Sequence, residues 1–329
     1  MHAQPWLRAC LPLILAAWAL SANAEVPPPP ASLHLATWNL EWLIAPAAFK
    51  TLKTPCTAKG APPEAGRLPC DVVQKLERST RDFAVLARYA RELDADVIAL
   101  QEVDGAQAAR LVFPGYEFCF TGRSHVQNTG FAIRAGLPHR CGHDVESLSL
   151  GDSVRRGAEL VLFPGGAREV WLLGVHLKSG CSHQPLNDSD RACRELGRQA
   201  PALAAWINAQ VRAGHRFAVL GDFNRELVSE QRAAATTSPK IALWSRLERD
   251  AAAARLVNAA ERAVFRNCVP GQGYAAYIDH ILLSRELAAA LVPGSFHRVT
   301  YTAVDARRTR LSDHCPVAIR LGIEQIAPR

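Results

Sequence analysis

Six short apolar runs in this chain end in side chains that can bind a metal ion, hold a phosphate or move a proton. They are TWNLEW (Asn39, Glu41), VIALQEVD (Glu102), WLLGVHLKS (His176), FAVLGDFN (Asp222, Asn224), YIDH (Asp279, His280) and LSDHCP (Asp313, His314). A carboxylate buried at a strand end costs on the order of several kcal/mol unless a partner compensates it. That many acids in equivalent positions argues for a shared cation. Residues two apart in an extended strand share a face, so Asn39 with Glu41, and Asp222 with Asn224, are each expected to aim two ligands at one point. Asp279 and His280 must face opposite sides of a regular strand, so only one can serve the site. Carboxylate and amide oxygens suit Mg²⁺ or Mn²⁺ better than zinc, and the sequence has no Cys-x-x-Cys pair for a cysteine-bound zinc. Hydrolysis of a phosphodiester needs a positioned water, neutralised phosphoryl oxygens and a stabilised leaving oxygen. Two histidines would add acid and base chemistry near neutral pH.

Taken singly, each of these residues has a plainer explanation. Glu102 reads as a surface acid, His176 as a satisfied histidine at a strand end, GDFN as an Asx turn, and Asp313 as a cap behind Ser312. The joint, ordered appearance of all of them favours catalysis. His280 reads as a packing or hydrogen-bonded neighbour, and Trp38 and Trp42 as core.

The elements that must carry these groups alternate between apolar strands and helices. Residues 33–38, 97–100, 170–175, 217–220, 277–283 and 316–321 read as strands. Residues 77–93 read as a helix, with Phe83, Leu86, Ala90 and Leu93 at three- and four-residue spacing. Residues 194–213 make a second, which Pro201 is expected to kink or restart, and 241–256 a third. Several strands are apolar on both faces and need two covering layers. The expected fold is therefore α/β: a four-layer sandwich of two packed mixed β-sheets flanked by helices. Two long segments, 45–71 and 180–191, break the rhythm, and ordered loops of that length tend to be functional.

The order Asn39, Glu102, His176, GDFN at 221–224, Asp279 and SDH at 312–314 resembles the endonuclease/exonuclease/phosphatase superfamily, over residues 33–323. The resemblance implies a catalytic domain over that span and a role for each residue. Glu102 would be the principal metal carboxylate, with Asn39 and Glu41 beside it and Asp313 completing the metal or hydrogen-bond shell. Asp222 would orient or deprotonate the attacking water, and Asn224 would hold the phosphate. His314 would bind a phosphate oxygen or act as a base, oriented by Asp279. His176 is similar to the second histidine of the deoxyribonuclease and sphingomyelinase branches, which abasic-site endonucleases usually lack. The implied cofactor is Mg²⁺, with Mn²⁺ as the alternative.

Arg123, Arg134, Arg155, Arg156, Arg225, Arg307, Arg308 and Arg310 could meet substrate phosphates. Arg225, which follows GDFN, and Arg307 and Arg310, which precede SDH, are the favoured candidates.

Residues 1–24 read as a signal peptide: Arg8, an apolar run over 11–20, then Ala22-Asn23-Ala24 for cleavage. The apolar run is too short to span a bilayer core of about 30 Å. A stiff proline-rich spacer fills 25–32, and 324–329 are expected to be a tail. The leader would take Cys10 with it, leaving eight of the nine cysteines in an exported, secreted or periplasmic protein, where an even number suggests disulfides. The sequence leaves their connectivity open. Cys56–Cys70 and Cys181–Cys193 are expected because each closes a short polar segment, and Cys119–Cys141 and Cys268–Cys315 then follow by elimination.

A formal net charge of +7, or +6 without Arg8, suits an anionic partner. A monomeric nuclease acting on DNA or RNA is the leading expectation, with no stable membrane anchor and no protein partner. A sphingomyelinase-like lipid phosphodiesterase would favour an exposed apolar hairpin, and aromatic content is only 7% with both long loops polar. A small-molecule phosphatase is a third enzyme reading. An inactive binding member of the fold would tend to have lost part of the acid and histidine set, and here none is missing.

Overall fold

The computed structural model describes residues 1–2, 32–58, 67–234 and 242–326. The expected signal peptide beyond its first two residues, the spacer up to residue 31 and the last three residues of the expected tail lie outside the described residues.

Among the described residues twelve strands follow in chain order: β1 (Ser32–Leu43), β2 (Val97–Val103), β3 (Tyr116–Phe120), β4 (Asn128–Arg134), β5 (His139–Val145), β6 (Gly157–Leu162), β7 (Val170–His176), β8 (Arg216–Asp222), β9 (Val257–Asn258), β10 (Asp279–Leu283), β11 (His297–Arg298) and β12 (Val317–Gly322). They form two six-stranded mixed sheets, ordered β11-β12-β1-β2-β4-β3 and β5-β6-β7-β8-β10-β9. Each sheet has one parallel pair at its middle, β1 with β2 and β7 with β8. The two halves are thus built alike.

Side-chain parity explains the layers. On β1, Leu33 and Leu35 face the other sheet, joining Val97, Ala99, Leu172, Ala218, Leu220, Ile281 and Ile319 in the inter-sheet core. Ala36, Trp38 and Leu40 point outward to Phe83, Leu86, Ala90 and Leu93 of the helix Thr80–Leu93. On the other sheet, Leu173, Val175, Phe217 and Val219 face the helices Arg191–Ala213 and Leu243–Asp250. Each fully buried leucine, isoleucine or phenylalanine contributes about 1.5–3 kcal/mol of transfer free energy, so three such layers dominate the stability. The expected four-layer sandwich is the observed fold.

Several boundaries differ from expectation for physical reasons. The first helix starts at Thr80 rather than residue 77, because Ser79 and Asp82 close a reciprocal capping box. A separate helix, Cys70–Leu76, precedes it. Pro201 neither stops nor restarts its helix, which runs on from Arg191 to Ala213. Leu196, Ala200, Leu203, Ala204 and Ile207 hold one face on the core across the missing hydrogen bond. The segment 45–71 carries the helix Pro46–Leu52, started by Pro46 and held by buried Phe49. The inter-sheet core also extends past residue 323, since Ile326 is buried in it. All four disulfides pair as expected: Cys56–Cys70, Cys119–Cys141, Cys181–Cys193 and Cys268–Cys315.

Candidate active site

The inner-face parity of both sheets continues beyond the apolar core and delivers polar groups to one end of the sandwich. One strand step past the last core residue stand Asn39 after Thr37, Asp222 after Leu220, and His176 after Gly174. Asp279 opens antiparallel β10 directly opposite Asp222. All four are buried. Gly221 makes the approach possible: a Cβ there would lie 1.9 Å from the Val175 carbonyl oxygen.

Two bulges bring in residues that regular strands would misdirect. Glu102 has φ 59° and Glu41 φ 44°, where the registers of β1 and β2 shift. Left-handed backbone at non-glycine residues costs on the order of 1–3 kcal/mol each and clusters at functional sites. It turns Glu102 toward the inner face. Its carboxylate accepts from Asn39 Nδ2 (3.3 Å), Trp42 N (3.2 Å) and Gln127 Nε2 (2.6 Å). Glu41 does not share a face with Asn39 through regular strand alternation; its carboxylate instead accepts the Asp313 amide at 3.0 Å. Asn224, with φ 52°, likewise lies past the end of β8. Its backbone N–H donates to Asp222 Oδ1 (2.7 Å), and its side-chain Nδ2 donates to the Leu177 carbonyl (3.1 Å).

Asp222 is the meeting point. Asn39 Nδ2 donates to its Oδ2 at 3.1 Å, His176 Nε2 lies 3.5 Å away and His314 Nε2 3.8 Å. Glu102 Oε1 is 3.7 Å from His176 Nε2. Burial pushes the Asp222 carboxyl up to about 7, with His314 pulling the other way and Asp279 adding to the rise. Burial likewise raises Glu41 to about 7, reinforced by Asp313. Burial disfavours the His314 cation, but Asp279, bonded to Nδ1 at 2.9 Å, and Asp222 outweigh it and hold His314 well above the ordinary histidine value. His176 goes the opposite way: burial, then Arg155 and His314, keep it neutral. Among the described residues its Nδ1 has no hydrogen-bond partner, so no carboxylate orients the ring from that side.

Arg78, which sequence reasoning passed over, ties together the two segments that carry Glu41 and Asp313. Its buried guanidinium donates to the carbonyls of Leu40, Glu41 and Trp42 on one side and of Arg310 and Leu311 on the other. Ser312 Oγ adds a bond to the Asn39 carbonyl at 2.7 Å and accepts the His314 amide. The bulge of β1 and the SDH turn are thus one unit.

The basic residues sort differently from expectation. Arg225 cannot reach substrate: it is 1% exposed, and its guanidinium is spent on the Cys181 and Gln184 carbonyls and on Glu230. It anchors the disulfide loop. Its carbonyl also accepts from His280 Nε2, which sits on the outer face of β10 as a structural neighbour. The Arg310 guanidinium turns to the Glu77 carbonyl, and Arg307 is exposed on the short helix Ala303–Arg308. Arg134 pairs with Asp94 and Asp96, and Arg156 with Asp144, Glu146 and Asp152. Arg155 lies at the acids. It donates to the Leu177 carbonyl at 2.8 Å, and burial, which lowers its pKa, is opposed by Glu102 and Asp222. Arg123 stands near it and is lowered to about 10 by burial and by Arg155.

A family model described as Endonuclease/Exonuclease/phosphatase family matches residues 36–314, from β1 through His314. The chain belongs to that family. Solved structures with the same fold include a 3'-5' exonuclease (NExo) from Neisseria meningitidis, with 16% identity, TM-score 0.54 and coverage of 88% of this chain and 99% of that one. A humanized D. rerio TDP2 aligns at 16% identity and TM-score 0.53, covering 88% and 99%. An AP endonuclease from Archaeoglobus fulgidus aligns at 14% identity and TM-score 0.51, covering 87% and 98%. A search of the curated proteins returned no match.

This family member's site fits a hard divalent cation. Two carboxyl groups are raised to about 7 through burial beside other acids, a penalty that a cation would remove. The donors around Glu102 and Asp222 are oxygens and neutral imidazole, which suit Mg²⁺ or Mn²⁺. Asp222, Asp279 and His314 also present atoms within 4.8 Å of one another.

Proposed function

We propose that the protein is an exported, divalent-metal-dependent phosphodiester hydrolase, and specifically an endonuclease acting on DNA or RNA. The observation that carries this is the convergence on Asp222 of Asn39, His176 and His314 within 3.8 Å, with Glu102 beside them. Mg²⁺, or Mn²⁺ in its place, would be held by Glu102, Asn39, Glu41 and Asp313 and would neutralise charge on the phosphoryl and leaving oxygens. Asp222, with its carboxyl raised to about 7, is basic enough to take a proton from the attacking water at neutral pH. His314, kept cationic by Asp279, donates to a phosphoryl oxygen. Asn224 has a second amide hydrogen for the same group, and Arg155 faces the acids as a fixed cation. The neighbour NExo has been captured with a product DNA hairpin, which supports nucleic acid as substrate. Export is supported by the leader-like first residues and by four disulfides. No helix among the described residues is long and apolar enough to cross a membrane.

The test offers the purified mature protein supercoiled plasmid, RNA, sphingomyelin and a chromogenic phosphodiester, each with Mg²⁺ or EDTA. Plasmid nicking and RNA cleavage that need the metal are expected. Cleavage confined to lipid would reject the nuclease, and activity in EDTA would reject the mechanism. Glu102→Ala, Asp222→Asn and His314→Gln are each expected to lower turnover by about two orders of magnitude or more while circular dichroism stays native.

A further inference from the structure

Against Asn224, Asp279, Asp313 and His314 a cleft of about 280 Å³ opens, and none of the roles above uses its other walls. Its floor is apolar, from Ala276 and Ile278, and Tyr274 stands over it with 58% of its surface exposed. An uncovered tyrosine ring at the mouth of a catalytic site is a ready stacking surface. The polar groups sit at the edges. Glu226 lies on one side, 3.5 Å from His183. Arg298 lies on another, held over the Tyr277 ring at 5.3 Å and bonded to the Arg266 carbonyl at 2.8 Å. That bond uses one donor of a five-donor fork, so further N–H groups remain to meet a ligand.

Two of the walls lie near disulfides. Ser182 and His183 follow Cys181 of the Cys181–Cys193 bridge, and Tyr274 follows Cys268, which is bonded to Cys315 beside His314. Buried Arg225 secures the first wall by bonding the Cys181 and Gln184 carbonyls. A preformed cleft needs little ordering when it is filled.

We propose that this cleft receives one unpaired nucleobase adjoining the scissile phosphate, so that the substrate is single-stranded or locally unpaired nucleic acid. The inference rests on the nuclease reading. A base offers a flat face to Tyr274, a polar edge to Glu226 and carbonyl oxygens to Arg298, and its size suits the volume. A quaternary ammonium headgroup would meet the Arg298 cation, and an acyl chain would meet charged edges. A base inside a duplex is covered on both faces by its neighbours and must leave the stack before it can reach Tyr274.

The experiment measures kcat and KM on a single-stranded oligonucleotide, on the same strand annealed as a blunt duplex, and on strands carrying one abasic residue at each position in turn. Wild type, Tyr274→Ala and Tyr274→Phe are compared, with Tm as the check on folding. The single strand is expected to be the better substrate, and Tyr274→Ala to raise its KM by about tenfold or more, with Tyr274→Phe close to wild type. Removing the base next to the cut should cost wild type about as much as Tyr274→Ala does, and the two losses should not add. Equal rates on duplex and single strand, or an unchanged KM in Tyr274→Ala, would overturn the proposal. So would preference for sphingomyelin. Failure of the parent reading would look different, since the wild type would then cut no oligonucleotide at all.

Discussion

Asp222 and His314 lie 3.8 Å apart and shift each other's charge. With its pKa well above 6.5, His314 keeps a proton in the folded state that the unfolded chain has released. The stability this provides is complete below about pH 6.5 and is lost as pH rises through the folded value. Asp222 and Glu41, raised to about 7, act in the same sense, and their contribution is gone once pH passes that value. His176 and His280 are lowered and work the other way, but only below about pH 6.5, where the unfolded histidine charges. In EDTA the protein is therefore expected to melt at a lower temperature at about pH 8.5 than at about pH 6.5, and His314→Gln should flatten the decline. Added Mg²⁺ should stabilise most at the higher pH, because it binds the deprotonated acids. A melting temperature that climbs over this window without metal would show that the charge states are wrong.

At the scale of elements, the decisive piece is the joint between the bulged end of β1 and the SDH turn, which Arg78 holds with five carbonyl contacts. Arg78→Ala would leave those acceptors dry, at about 1–3 kcal/mol for each that water does not reach. Arg78→Lys keeps the charge but loses the fork. The alanine variant is expected to lower the urea midpoint and to weaken Mg²⁺ binding measured by calorimetry, with lysine restoring part of both. Unchanged metal affinity in a destabilised Arg78→Ala would make the residue a structural prop alone. This joint was hidden in the sequence, since Arg78 sits in an ordinary charged stretch and its partners are backbone atoms more than 200 residues away as well as nearby ones. By contrast, β1, β2, β7, β8, β10 and β12 were legible because both faces are apolar and the next inward position is polar. Edge strand β5 is polar and has no buried residue, and β9 and β11 are two residues each, so no periodicity marks them. Glu102 was readable as a residue type in LQE, but its left-handed backbone was not. Arg225 was misjudged because adjacency to GDFN in sequence says nothing about which side of the chain a long side chain takes.

Across the whole molecule, the two sheets bury their acids at one end of the sandwich and surround them with a basic chain, formally +7 over the full sequence. That distribution bears on which phosphodiester is bound. A nucleic acid strand carries condensed counterions, and each phosphate that an arginine neutralises releases close to one of them. Arg155 stands at the acids, Arg123 near Arg155 and His176, and Arg298 lines the cleft beside His314. Two or three such contacts to a single strand predict that log KM rises with log salt at a slope of about 1.5–2 with Mg²⁺ held constant. A small chromogenic diester has no counterion atmosphere and should show little dependence over the same range. Arg155→Gln should reduce the slope on the oligonucleotide by about 0.7, the share of one single-strand phosphate, and also lower turnover if the guanidinium meets the reacting group. Equal salt dependence for the polymer and the small diester would mean that salt acts on the acids or the fold. The basic character of the chain would then say nothing about its substrate.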